Sequence, residues 1–235
     1  MKTIRLYERN LKGHWDAMNL NPTHKVNDGD SDLTDHHNKF NQWSDLRGNC
    51  HLKAPTFQSR PQFNATAING LPALRFIGSY LVSDVKYSRS TNNAFTWIMA
   101  VKPQGKRVDG NIFSTSDIKK WGDRNSSSHN GTYNSSAGIT GGDGFLKIFW
   151  GKNLKVEDEV CCSRRQDNEY VVMGRGLNQH TNGFSNNYIG YIGEVLAYDA
   201  ALEPADLSNM IDAMTTKWTT GLTWENVKFS DTNST

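Results

Sequence analysis

Apolar residues along this chain fall into short runs, each closed by Gly, Asn, Ser or Pro, and that pattern predicts strands separated by polar loops. LPALRFIGSYLV (71–82) reads as strand, with Gly78 and Ser79 forming a turn or bulge within it. AFTWIMAVKP (94–103) is apolar on both faces, as a central sandwich strand would be, and ends at Pro103, which has no amide hydrogen for a ladder. NIFST (111–115), FLKIFW (145–150), EYVVMG (169–174) and YIGEVLAY (191–198) follow at intervals set by turn residues, and TIRLY (3–7) near the start has the same character. Asn69-Gly70, just before a strand, is a hairpin signal because both residues accept positive φ. Arg75 lies between Leu74 and Phe76, so it points away from them, into solvent or onto a partner.

The period changes once. Leu207, Met210, Ile211, Met214 and Trp218 recur at i, i+3, i+4, i+7 and i+11, one apolar stripe of a helix. Pro204 suits its first turn, Asp206 its positive end and Lys217 its negative end, and Gly221 stops it. The nearest surface in sequence is the strand 191–198, so the helix is expected beside or across the rim of a sheet, in a structural role.

Composition agrees with a folded β protein. Of 235 residues 36% are hydrophobic and 11% aromatic, with seven Trp and ten Phe, enough to fill a space between two sheets. The formal net charge is +2 and the basic residues are scattered; the densest group, KPQGKR (102–107), reads as a solvated turn. No basic stripe calls for nucleic acid, and no run is long enough to insert into a membrane. Cys50, Cys161 and Cys162 are odd in number and show no metal spacing, so they read as reduced, buried thiols. Arg5, Glu8, Arg9 and Asn10 interrupt any leader-like apolar stretch, which points to synthesis in a cytoplasm without a signal peptide. Neither repeat nor linker divides the chain, so residues 1–225 are expected to form one domain and 226–235 a polar C-terminal tail.

Several stretches, in order, resemble the concanavalin A-like lectin/glucanase superfamily in its laminin-G-like jelly-roll branch. They are HWDA (14–17), FNQWSDLRGNCHLKAP (40–55) with Trp43, Asp45, Gly48 and Asn49, RPQFNATAINGLPALRF (60–76), FTWIMAVKP, and the closing Gly-Glu-Val strand with its Tyr-Asp-Ala-Ala-Leu and short helix. The resemblance spans about residues 14–220. It implies an all-β, concanavalin A-like jelly-roll β-sandwich with one short C-terminal amphipathic helix capping it, and a lectin-like role. The residues have their own reading beside it: Trp43 as a buried ring, and Asp45 as a carboxylate bonding the amides of the Gly48-Asn49 turn.

The same sandwich carries lectins, glycanases and structural modules, so activity is decided by sites. Retaining glycan hydrolysis needs two carboxylates about 5 Å apart, which in this superfamily usually come as Glu-x-Asp-x-x-Glu on one strand. No such string occurs; VEDEV (156–160), with Glu157 and Glu159, reads as a solvated edge or turn, and Glu194 has no acidic neighbour in sequence. The chain is therefore expected to be non-enzymatic, the alternative being a glycan hydrolase or lyase with dispersed carboxylates. Calcium is the one candidate ion: Asp28, Asp30 and Asp32 begin a calcium-loop pattern, which Leu33 and Lys39 then break.

Sugar binding needs aromatic faces and planar hydrogen-bonding groups on loops over a rigid scaffold. The segment 121–144 offers Trp121, Asp123, Asn130 and Tyr133, and the segment 174–187 offers Arg175 and His180. These are the candidate ligand residues, although loops of this composition equally suit contact with another subunit. The resemblance and the missing leader together suggest an adhesion or decoration module on a bacteriophage virion, in head, tail or fibre. Its expected partners are glycans and other virion subunits or further copies of itself. A purely structural capsid or tail component is the remaining alternative.

Overall fold

The computed structural model describes residues 4–20, 39–86, 95–104, 112–116, 126–128, 137–142, 145–150, 153–158, 170–176 and 186–226. Its strands are β1 (Ile4–Leu6), β2 (Leu11–Asp16), β3 (Gln42–Trp43), β4 (Leu52–Lys53), β5 (Gln62–Ile68), β6 (Leu71–Ile77), β7 (Leu81–Ser83), β8 (Phe95–Pro103) and β9 (Phe113–Ser116). They continue as β10 (Ser126–Ser128), β11 (Ala137–Gly142), β12 (Phe145–Trp150), β13 (Asn153–Asp158), β14 (Tyr170–Met173), β15 (Arg175–Gly176), β16 (Asn186–Asn187), β17 (Ile189–Tyr198) and β18 (Trp224–Asn226). One α-helix, α1 (Pro204–Thr220), is present among the described residues. The strands expected from the hydropathy pattern all form, with ends shifted by a few residues.

Two antiparallel sheets make a sandwich. One has six strands in the order β10-β9-β14-β7-β4-β3; the other has eight, ordered β13-β12-β11-β8-β17-β6-β5 with β2 also on β17. The ten-residue β17 is long enough to pair two strands end to end along one side, β6 through Ile189–Ile192 and β2 through Glu194–Tyr198, while β8 takes its other side. Between the sheets lie Trp15, Phe76, Trp97, Met99, Ile192 and Val195 from the larger sheet, and Trp43, Leu52, Leu81, Phe113, Val171 and Met173 from the smaller. Trp97 stacks on Phe113 across that interior at 4.5 Å between centroids, and Trp15 stacks on Trp97 at 6.2 Å. The all-β sandwich read from sequence is the fold.

Local readings hold for physical reasons. Asn69 (φ 51°) and Gly70 (φ 80°) form the tight β5–β6 turn, and the Asn69 side chain donates to the Trp218 carbonyl at 2.9 Å, capping the end of α1. Trp43 is buried, and the Asp45 carboxylate accepts from the amides of His14, Arg47, Asn49 and Cys50 at 2.8–3.0 Å. Arg75 leaves the core and bonds Gln104 at 3.1 Å. Cys50 is a buried free thiol; Cys161 and Cys162 lie outside the described residues.

The helix differs from expectation in position. Its stripe Leu207, Met210, Ile211, Met214 and Trp218 is buried against Ala73, Ile98, Ala100, Leu196 and Tyr198, on the outer face of the larger sheet. It covers that face rather than the rim. This explains why β8 is apolar on both sides: Trp97, Met99 and Val101 face the other sheet, Ile98 and Ala100 the helix. Each fully buried side chain of this kind contributes roughly 1.5–3 kcal/mol. No helix of the described residues is long and apolar enough to cross a membrane.

Candidate functional site

The outer face of β17 and β2 carries charge where an apolar layer is expected. Alternation places His14 and Asp16 on one side of β2 and Trp15 on the other, and register sets Asp16 directly opposite Glu194. Glu194 reaches that face through a bulge: Ile192 pairs with Val101 and Glu194 with Ala100, so Gly193 is the extra residue and the phase of the strand shifts by one. From α1, Lys217 falls three residues after Met214, inside the apolar stripe. Its side chain therefore turns inward, correcting the reading of it as a charge at the helix end. His14, Asp16, Glu194 and Lys217 are all at most 5% exposed.

Four donors converge on the Glu194 carboxylate. His14 Nε2 and Trp224 Nε1 meet Oε1 at 2.7 and 2.5 Å, and Lys217 Nζ and Trp218 Nε1 meet Oε2 at 2.7 Å each. Lys217 Nζ also reaches Asp16 Oδ2 at 2.5 Å, and Asp16 accepts from the Met18 amide at 2.8 Å and the Asn19 amide group at 3.2 Å. Burial pushes the Glu194 carboxyl up, but the His14 hydrogen bond and the Lys217 charge outweigh it and hold the group below its ordinary value. For Asp16 burial and the Glu194 charge win over Lys217, and its carboxyl is raised.

This clasp joins β2, β17, α1 and the β18 strand, which pairs in parallel with β1. Gly193 makes room for it: a Cβ there would lie 2.2 Å from Trp218 Cη2, so the indole packs flat on bare backbone with Nε1 directed to Glu194. His14, Asp16 and Glu194 bring ligating atoms within 4.8 Å of one another, a spacing that could hold a metal ion. The Lys217 ammonium already lies between the two carboxylates, bonded to each.

Beside the clasp opens a recess of about 320 Å³, lined by His14, Asp16 and Lys217 on the inner side and by Leu6, Met18, Asn19, Leu46, Arg47, Thr223 and Trp224 around them. Hence Glu194 does have a carboxylate neighbour, 178 residues away in sequence. What could have exposed the cluster was a set of charges set within apolar runs: Glu194 in YIGEVLAY, Lys217 in the helix stripe, and His14 and Asp16 flanking Trp15.

Of the residues singled out from sequence, Trp121, Asp123, Asn130, Tyr133 and His180, and the acidic trio Asp28, Asp30 and Asp32, lie outside the described residues, as does Glu159. Arg175 opens β15 and is buried, its guanidinium over the Tyr80 ring at 4.9 Å and lowered to about 10 by burial. Glu157 sits opposite Lys147 on β13, the edge strand of the larger sheet.

No protein-family model matches the sequence, and no curated protein matches it. Solved structures do share its architecture. Domain 4 of AbnA, a GH43 extracellular arabinanase from Geobacillus stearothermophilus, solved in complex with arabinotriose, is similar with a TM-score of 0.52 at 14% identity, over 91% of this chain and 100% of that domain. A Trypanosoma rangeli sialidase is similar with a TM-score of 0.53 at 9% identity, over 88% of this chain. The chain spans only 33% of the sialidase, about a third of its length. At these identities the likeness is one of fold.

Proposed function

We propose that this chain is a non-enzymatic, lectin-like carbohydrate-binding β-sandwich module of the concanavalin A-like type. The observation that carries the passive part is the state of Glu194, whose two oxygens each accept two hydrogen bonds while Lys217 bridges it to Asp16. A catalytic acid pair leaves room for substrate between its members; this pair is closed on an internal ammonium. The binding part draws support from the sandwich shared with the arabinanase domain that was solved with arabinotriose, and from the aromatic and amide-rich segments 121–144 and 174–187. A virion surface is the finer setting proposed, as the jelly-roll resemblance suggests, and calcium at Asp28, Asp30 and Asp32 is its proposed ion.

The test is a glycan array probed with the full chain, with and without EDTA, alongside a reducing-end assay on the bound polysaccharides. Retention without release of reducing ends is expected. Sustained hydrolysis or elimination, lost in Asp16→Asn, would overturn the passive reading, and an array without hits would overturn the binding one. Trp121→Ala and Tyr133→Ala are expected to weaken retention, and EDTA to weaken it through the acidic trio. Mass spectrometry of purified virions tests the setting.

A further inference from the structure

We infer that the part of the larger sheet's outer face left open by α1 is a docking surface for a linear, carboxylate-bearing polysaccharide laid across the strands. The inference rests on the carbohydrate-binding reading and adds to it a place and a ligand class.

The first observation is a row of cations that the sequence scatters and strand register aligns. Lys39 stands opposite Gln62, Gln62 opposite Arg75, Arg75 opposite Tyr191 and Tyr191 opposite Lys102. Their chain neighbours Phe40, Phe63, Leu74, Ile192 and Val101 face the interior. Alternation therefore sends the row to the outer face, next to the part that α1 covers. Every second position is a cation, and at the backbone each stands two strand spacings, about 10 Å, from the next.

The row has no acidic counterpart. None of the three cations forms an ion pair among the described residues. Their contacts are with neutral groups. Arg75 Nε donates to Gln104 at 3.1 Å, with the guanidinium 5.9 Å from the Tyr191 ring centroid. Lys102 Nζ donates to the Ala67 carbonyl at 2.8 Å, and Lys39 Nζ lies 4.7 Å from the Phe57 ring centroid. Strands β5, β6 and β8 carry no acid, and the one acid of β17 is Glu194, closed in the clasp. The helix α1 carries Asp206 and Asp212, neither of which pairs with the row.

These groups narrow the occupant. Cations held only by neutral partners repel a cationic ligand and gain charge-assisted hydrogen bonds from carboxylates. Arg75, oriented through Nε, keeps its two terminal NH2 groups for such a carboxylate. Gln62, exposed between Lys39 and Arg75, offers an amide to sugar hydroxyls. Ile77 and Ile189, paired with each other beside the row and 54% and 45% exposed, offer apolar surface to ring C–H groups. A nucleic acid strand needs open rings for its bases. Here Tyr191 is only 7% exposed, and Phe57 already carries both Lys39 and Arg60. An acidic peptide binds best along a free strand edge, whereas β6, β17 and β8 are paired on both sides.

The experiment is isothermal titration of the full chain at low salt with trigalacturonate and a hyaluronan octasaccharide. The methyl ester of trigalacturonate, hexaglutamate and octathymidylate are the contrasting probes. Arg75→Gln and Lys102→Gln change side chains that are not buried, and Lys53→Gln on the smaller sheet is the control. At least one acidic oligosaccharide is expected to bind, less tightly as salt is raised, with the ester weaker by about tenfold or more. Either single variant is expected to lose about tenfold, the effect of one charge-assisted hydrogen bond; Arg75→Lys is expected to lose less, and Lys53→Gln nothing. Equal binding of the ester would overturn the carboxylate class, and that comparison needs no variant. Acid binding unchanged in Arg75→Gln with Lys102→Gln but abolished by Trp121→Ala or Tyr133→Ala would overturn the surface and leave the module reading standing. Equal or tighter binding of hexaglutamate or octathymidylate would overturn the polysaccharide as occupant. Silence to both acidic oligosaccharides with a positive glycan array would overturn this inference alone, and silence in both would overturn the two readings together.

Discussion

Trp218 rests on the backbone of Gly193 so closely that a single methyl group at that glycine would fall 2.2 Å from the indole. The contact couples a bulge in β17 to the last turn of α1, and it aims Trp218 Nε1 at Glu194. Gly193→Ala is expected to force the indole away and break that bond. Overpacking together with an unmade buried hydrogen bond costs roughly 2–4 kcal/mol. Urea denaturation measures the loss, and a red shift of tryptophan emission reports the displaced ring.

Glu194 is the hub of four donors, so neutralising it is worse than removing a surface charge. In Glu194→Gln one amide nitrogen faces donors, and Lys217 keeps only Asp16. A buried pair broken from one side typically costs about 3–5 kcal/mol. The double variant Glu194→Gln with Lys217→Met removes the Glu194–Lys217 pair while leaving Asp16, and is expected to cost less than the sum of the two single changes. Additive losses in a double-mutant cycle would show that the two groups act independently.

The clasp also sets an acid response with two opposed parts. Glu194 is held below its ordinary value of 4.5, so its contribution is present above that pH and lost as pH falls through the lowered value. Asp16 is raised above its ordinary 3.8, so its contribution is present below 3.8 and lost as pH rises through the raised value. Asp16 thus offsets part of the acid loss. Asp16→Asn is expected to make the slope of unfolding free energy against pH more positive above pH 3.8, as read from urea melts at a series of pH values. An unchanged slope would remove Asp16 from the response.

Burial pushes the Cys50 thiol up to about 12, outweighing its hydrogen bond with Ser83. Reaction requires the thiolate. In the native protein at pH 8, Cys50 is expected to resist iodoacetamide and to react at once in guanidinium, with peptide mass spectrometry separating it from Cys161 and Cys162. Fast native labelling would mean that the interior around Trp15 and Leu52 opens readily.

The sequence by itself determined the elements. Alternating runs with turn residues at their ends specify strands through a period of two, and the spacing from Leu207 to Trp218 specifies a helix through a period of 3.6, because both periods are properties of local backbone geometry. Asn69-Gly70, Asp45 and Gly221 were legible for the same reason: each acts on neighbours a few residues away. The clasp was not, since His14, Asp16, Glu194, Lys217 and Trp224 come from four separate elements and mean little one at a time. Lys217 read as a charge suited to a helix end until the helix lay across the outer sheet face and turned it inward. Only tertiary packing decided that, because the energy of a buried charge depends on which distant groups share its cavity, and register across β2 and β17, with one extra residue at Gly193, chose those groups.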